Sequence, residues 1–183
     1  MIHKGTKKLE SSRLLLRRIY KEDALEIYNG FINQDGFLYY LNREKRTLEE
    51  EISSLELIDE KNKSNDYYNW LIILKATGKI IGMIILKTED INECVEATYV
   101  IDENYSNNGY MSEALKLVID YAFSELLVNR FQAGCVVSNE KSKRVMEKCG
   151  MKLEGVLRDY VILRDGYHDM YMYSIVRGDL DLS

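Results

Sequence analysis

At 183 residues, 46% hydrophobic and free of proline, the chain is long enough to bury one core and predicts a single domain over 1–183. A formal charge of −5 leaves no basic face of the kind duplex nucleic acid needs, which excludes DNA as an expected partner and argues against a dedicated RNA binder. Three cysteines without C-x-x-C spacing, and two histidines as far apart as His3 and His168, predict no disulfide framework, no metal site and no Ser-His-Asp triad.

No signal-type apolar region follows the first residues "MIHKGTKK", and the runs "WLIIL" and "IIGMIIL" are too short to cross a bilayer. A cytoplasmic protein without a membrane partner is expected. In chain order, "SRLLLRRI" predicts a strand, then "KEDALEIYNGF" and "TLEEEISSLELIDE" predict two helices, the second with Leu48, Ile52, Leu55 and Ile58 on one stripe. A hairpin follows in "YYNWLIILKATGKIIGMIILK", turning at Thr77 and Gly78, and "CVEATYVID" adds a further strand. The next helix places Met111, Ala114, Leu115, Val118, Ile119, Ala122 and Phe123 at helical spacing. "RFQAGCVV" is a strand, "EKSKRVMEKCG" a helix closed by Gly150, and the chain ends in two strands. The expected fold is α/β, a mixed sheet with helices on both faces, in the order β-α-α-β-β-β-α-β-α-β-β.

The stretch "YSNNGYMSEAL" sets Gly109 and two asparagines directly before the central helix. A helix start presents unpaired amides and partial positive charge, so this turn can hold a phosphate without lysine; it reads equally as an asparagine-rich cap. Gly109 permits close backbone approach, and Asn107 and Asn108 tolerate left-handed conformations. Spacing excludes both a P-loop and a Rossmann fingerprint. In the later helix Ser142 shares a face with Val145, Met146 and Cys149, which puts a hydroxyl on the buried stripe, bonded back to the preceding turn or lining a ligand channel.

"YSNNGYMSEAL" followed by "NEKSKRVMEKCGMKLEGVLRD" resembles the GNAT acetyltransferases, in particular the ribosomal-protein N-terminal acetyltransferases of the RimJ/RimL type, along nearly the whole chain. The resemblance implies a V-shaped split between the fourth and fifth strands, with acetyl-CoA as cosubstrate and no metal. The family's turn usually reads Q/R-x-x-G-x-G/A. Here Ser106 stands at the Gln/Arg position, Asn107 and Asn108 follow, Gly109 is kept, Tyr110 comes next, and Met111 replaces the small residue. The backbone of this turn would hold the pyrophosphate, Val100 and Ile101 would pair with pantetheine, and Asn139 and Ser142 would contact it. Ser142 matches a serine that protonates the departing thiolate, and Glu96 a glutamate that takes the amine's proton; Glu96 also fits an ordinary strand position.

The implied reaction is acetyl transfer to a primary amine, foremost a protein N-terminal α-amine. A polyamine, amino sugar or aminoglycoside acceptor and a non-catalytic CoA-binding module are the alternatives, as monomer or homodimer. Acidic residues from Glu44 to Glu60 would suit a cationic acceptor or form a solvated face, and Tyr167, His168, Tyr171 and Tyr173 would line the acceptor site or pack. Glu113, in the first helical turn, reads as structural.

Overall fold

The computed structural model describes residues 1–180, so the last three residues of the expected domain lie outside the described residues. Two short strands, Leu9–Glu10 (β1) and Leu14–Arg17 (β2), lead into the helices Ala24–Gly30 (α1), Asp35–Tyr40 (α2) and Leu48–Lys61 (α3). Strands Tyr68–Leu74 (β3), Ile80–Glu89 (β4) and Cys94–Ile101 (β5) precede Tyr110–Ser124 (α4) and Arg130–Val136 (β6). Glu140–Lys148 (α5), Lys152–Leu163 (β7), Gly166–Val176 (β8) and Arg177–Leu180 (α6) complete the described chain. The strands form one mixed sheet in the order β1-β2-β3-β4-β5-β6-β8-β7, parallel at β5 with β6 and antiparallel elsewhere.

The expected order is present with three additions. β1 has two residues and α6 four, below the length at which periodicity shows. α2, "DGFLYY", carries a glycine inside a six-residue helix and buries Phe37 and Leu38.

All seven positions of β3 are buried, because helices cover both faces of the sheet there. Tyr68, Trp70, Ile72 and Leu74 join α4 in one core, while Leu71 and Ile73 join α1, α2 and α3 in the other. Asn69, buried among them, accepts from the Ile19 amide and donates to Asn62, whose own amide donates to the Ile19 carbonyl. The three cysteines are buried and unpaired, as core residues.

α3 departs from the expected stripe. Leu55 is buried, but Ile52 is 39% exposed and Glu51 takes the inward position at 2%. Arg46 meets the Glu51 carboxylate at 3.0 Å, which makes this burial tolerable, and Thr47 with Glu50 caps the helix reciprocally. Between β4 and β5, Gly82 permits close contact: a Cβ there would lie 2.4 Å from the Val100 carbonyl oxygen.

At the far end of the sheet, Arg130 on β6 reaches across β8 to clasp Glu154 on β7 through two bonds of 2.6 and 2.5 Å, and Ser174 on β8 donates to the same carboxylate. The Arg130 bond, then that of Ser174, holds the Glu154 carboxyl down at about 2. A carboxyl depressed in the folded state stabilises the fold above its unfolded pKa, and that contribution disappears as pH falls through the folded value. Urea melts of wild type and Glu154→Gln should therefore converge as pH drops from about 4.3 to 2, with only a small gap at neutral pH because the pair is partly solvated. Parallel pH profiles would show that the clasp carries no proton linkage.

Candidate active site

β5 and β6 pair through Cys94 with Arg130, Val95 with Phe131 and Glu96 with Gln132, and no further. Each strand continues along its outer neighbour, β5 beside β4 to Ile101 and β6 beside β8 to Val136. The two arms therefore diverge at Glu96, which is the split expected between the fourth and fifth strands of the sequence order. Beyond Glu96 the inner edge of β5 has no strand partner among the described residues, and main-chain groups there are available to an amide-bearing ligand. Val100 and Ile101 face this opening, but their side chains pack into opposite cores, which leaves their backbone for recognition.

The cavity between the arms measures about 640 Å³. Its lining includes Ser106, Asn107, Gly109, Tyr110 and Met111 of the turn, Asn139 just before α5, Ser142 within it, and Glu96. Asn107 and Gly109 adopt φ of 64° and 78°, so the turn bends through two left-handed residues into α4. Asn108 differs from expectation: it is not left-handed, and its amide donates back to the carbonyls of Tyr105 and Ser106. Its side chain braces the turn and lies outside the cavity lining. Met111 is buried, so this position offers only its backbone.

Arg13, just before β2, supports the turn. It stacks on Tyr110 at 4.6 Å, donates to the Asn108 carbonyl at 3.2 Å, and pairs with Glu113. Burial opposes the Glu113 charge, but bonds from Ser11 and Arg13 outweigh it and hold the carboxyl below its usual range. Glu113 is thus structural.

Asn139 caps α5, its carboxamide oxygen accepting from the Ser142 amide at 3.1 Å. The Ser142 hydroxyl lies 2.7 Å from the phenol of Tyr99, which also donates to the Ser142 carbonyl at 3.2 Å. The serine on the buried stripe thus bonds across the split to β5. Burial pushes the Tyr99 phenol well above its usual range, so it stays protonated. Burial likewise pushes the Cys135 thiol, which borders the cavity, up to about 11, and Cys149 to about 12, so neither is a nucleophile at neutral pH.

Glu96 stands at the apex of the split. Gln132 donates to its Oε2 at 2.9 Å, and Arg130 donates to Gln132 at 2.7 Å, so the carboxylate is oriented by a chain that runs back to Glu154. Oε1 of Glu96 has no protein partner among the described residues.

Sequence reasoning missed Tyr99, Gln132 and the far wall. Phe37, Tyr40 and Leu41 of α2 and its end, with Val161 and Met170 of the last hairpin, line the cavity there. The aromatics expected at that end lie elsewhere: Tyr171 packs on the core, Tyr173 donates to Glu147, His168 pairs with Asp165, and Tyr167 is 69% exposed. The acidic residues of α3 do not border the cavity either.

The fit to CoA is direct: an unpaired strand edge suits pantetheine amides, and a left-handed turn opening a helix suits a pyrophosphate. This frame defines an acyltransferase that works from acetyl-CoA. The family model described as the acetyltransferase (GNAT) domain matches residues 13–152, and the chain belongs to that family. The chain is similar to the uncharacterized N-acetyltransferase YoaA of Bacillus subtilis (strain 168), 32% identical over 170 residues that cover 92% of this chain and 96% of YoaA. Among solved structures, the ribosomal-protein-S5-alanine acetyltransferase of Vibrio fischeri superposes with a TM-score of 0.82 at 25% identity, covering 94% and 98% of the two chains. RimL, the ribosomal L7/L12 α-N-protein acetyltransferase solved with coenzyme A, has a TM-score of 0.84 at 21% identity, covering 93% and 98%. No helix among the described residues is long and apolar enough to cross a membrane.

Because the Tyr99 and Ser142 hydroxyls share one bond, Tyr99→Phe and Ser142→Ala should each cost about 1 kcal/mol, and the double variant less than their sum. Urea unfolding of the four proteins measures this coupling; strict additivity would mean that the hydroxyls act independently.

Proposed function

We propose that the protein, working as one domain, acetylates the N-terminal α-amine of a protein. The observation that carries this reading is the cavity's far end, where apolar walls from Phe37, Tyr40, Leu41, Val161 and Met170 accompany one oriented carboxylate, Glu96. A polyamine would call for several carboxylates, and no acidic residue of α3 borders the cavity: Glu51 pairs with Arg46, Glu60 with Lys63, and Glu50 serves in the cap. An α-amine, with pKa near 7.7 to 8.0, is roughly a tenth neutral at pH 7 and needs only a modest base. The Vibrio fischeri neighbour, named for alanine acetylation of a ribosomal protein, supports the same acceptor class.

Acetyl-CoA supplies the acetyl group as a thioester. The backbone of Val100 and Ile101 holds pantetheine, the amides of residues 106–111 hold the pyrophosphate, and Asn139 adds its side-chain amide. Glu96 Oε1 accepts the proton that the amine loses, directly or through water. Ser142, held by the Tyr99 phenol at 2.7 Å, delivers a proton to the departing sulfur and regains one from solvent, which carries off the proton the amine loses. A backbone amide on the open edge of β5 stabilises the oxyanion.

Purified protein incubated with acetyl-CoA and a panel of N-terminal peptides, polyamines, amino sugars and aminoglycosides should acetylate a peptide α-amine, located by mass spectrometry. Glu96→Gln should lower turnover about 100-fold while KM for acetyl-CoA stays unchanged, the loss expected of a missing general base. Preferred transfer to a polyamine or sugar would replace the acceptor assignment, and a fully active Glu96→Gln would remove the base.

A further inference from the structure

Strands send alternate side chains to opposite faces of a sheet. On β6, Phe131, Ala133 and Cys135 join the core shared with α4, so Gln132, Gly134 and Val136 turn to the other face. On β8, Tyr171 and Tyr173 pack on that same core, so Met170 also turns the other way. Glu96 belongs to this second face as well, since its carboxylate takes a bond from Gln132. It is the face on which α2 and the core around Phe37 lie.

Met170 is 9% exposed and borders the cavity. Its register partners, Val136 on β6 and Leu157 on β7, flank it on either side. The side chain does not stay in that row. A Cβ on Gly134 would lie 2.5 Å from the Met170 Cε and 3.1 Å from its Sδ, so the thioether leans back along β6, toward Gln132 and Glu96. Glycine is what makes room, because any side chain at 134 would displace the methyl. An unbranched thioether fills such a gap and can be moved at low cost.

An amine that gives its proton to Glu96 stands at the apex of the split, and the carbon bearing that amine carries the acceptor's first side chain. That side chain must find its space on the face where the Met170 methyl already lies. We propose that Met170, laid over Gly134, sets the size limit on the first side chain of the acceptor. The inference rests on the α-amine reading of the cavity and adds the residue that selects among α-amines.

The test is competition, in one reaction with acetyl-CoA, among peptides that differ only in their first residue: Gly, Ala, Ser, Val, Leu or Phe. Mass spectrometry reads the products as ratios of kcat/KM. Wild type should favour the three smallest over Leu and Phe. Met170→Ala should raise Leu and Phe relative to Ala by about tenfold to a hundredfold, the scale on which a pocket discriminates by apolar volume. Gly134→Ala should act in the opposite sense and penalise Val and Leu further, because its Cβ drives the methyl into the cavity. The double variant Gly134→Ala/Met170→Ala should regain the broad preference, since the displaced methyl is gone. Circular dichroism checks each fold, and calorimetry should show acetyl-CoA bound as by wild type. If Gly134→Ala fails to fold against the Tyr171 carbonyl oxygen, 3.1 Å from the added Cβ, Met170→Ala alone decides. An unchanged order of preference in Met170→Ala, or a double variant as narrow as Gly134→Ala, would overturn the inference and leave the α-amine reading standing. Weakened acetyl-CoA binding with an unchanged order would assign Met170 to the donor and overturn it too. Transfer by wild type to other amines but to none of these peptides would overturn the α-amine reading, and this inference with it.

Discussion

The site depends on β5 and β6 pairing for three residues and then separating. Exposed strand edges are costly to leave unpaired and prone to recruit other chains. Here the edge lies inside a cleft, where only a ligand of the right width can reach it. Both arms are secured from outside, β5 along its full length by β4 and β6 along its full length by β8, so the gap is bordered by well-supported backbone. Gly82 draws β4 close under Val100, and the Tyr99 side chain spans to α5 and ends on Ser142. The separation is thereby set by a side chain of fixed length.

Charge in this protein is organised through relays. Glu154 fixes Arg130, Arg130 fixes Gln132, and Gln132 fixes one oxygen of Glu96, so the orientation of a cavity carboxylate is tied to a clasp on the outermost strand. A second relay joins Glu113, Arg13 and the Asn108 carbonyl, and it stiffens the turn from outside the cavity. In both cases the group facing the cavity keeps capacity for a ligand while its neighbours absorb the remaining polar demand.

Much of this was legible in the sequence because the signals are local. The uninterrupted apolar run of β3, the helical spacing of α4, the glycine turn before it and the serine on the inner face of α5 each follow from a few adjacent residues. What escaped depends on contacts between distant segments. Gln132 meets Glu96 only through the parallel register, Tyr99 meets Ser142 only across the split, and α2 is too short for periodicity to reveal. Ile52 was misplaced because the inward position on α3 goes to Glu51, a choice that makes sense only once Arg46 is beside it.

The family match ends at residue 152, just where β7 begins, and the hairpin that follows supplies Val161 and Met170 to the far wall. Tyr39 reaches that hairpin at Asp165, so the mouth opposite the turn is closed by two segments 126 residues apart. The family model thus spans the divergence of β5 and β6, the turn, α5 and also α2. The far wall is built from a hairpin beyond that span and a six-residue helix within it. A wall made of two segments so far apart in sequence can be altered at the tip of either one while the turn and the open edge of β5 keep their own supports.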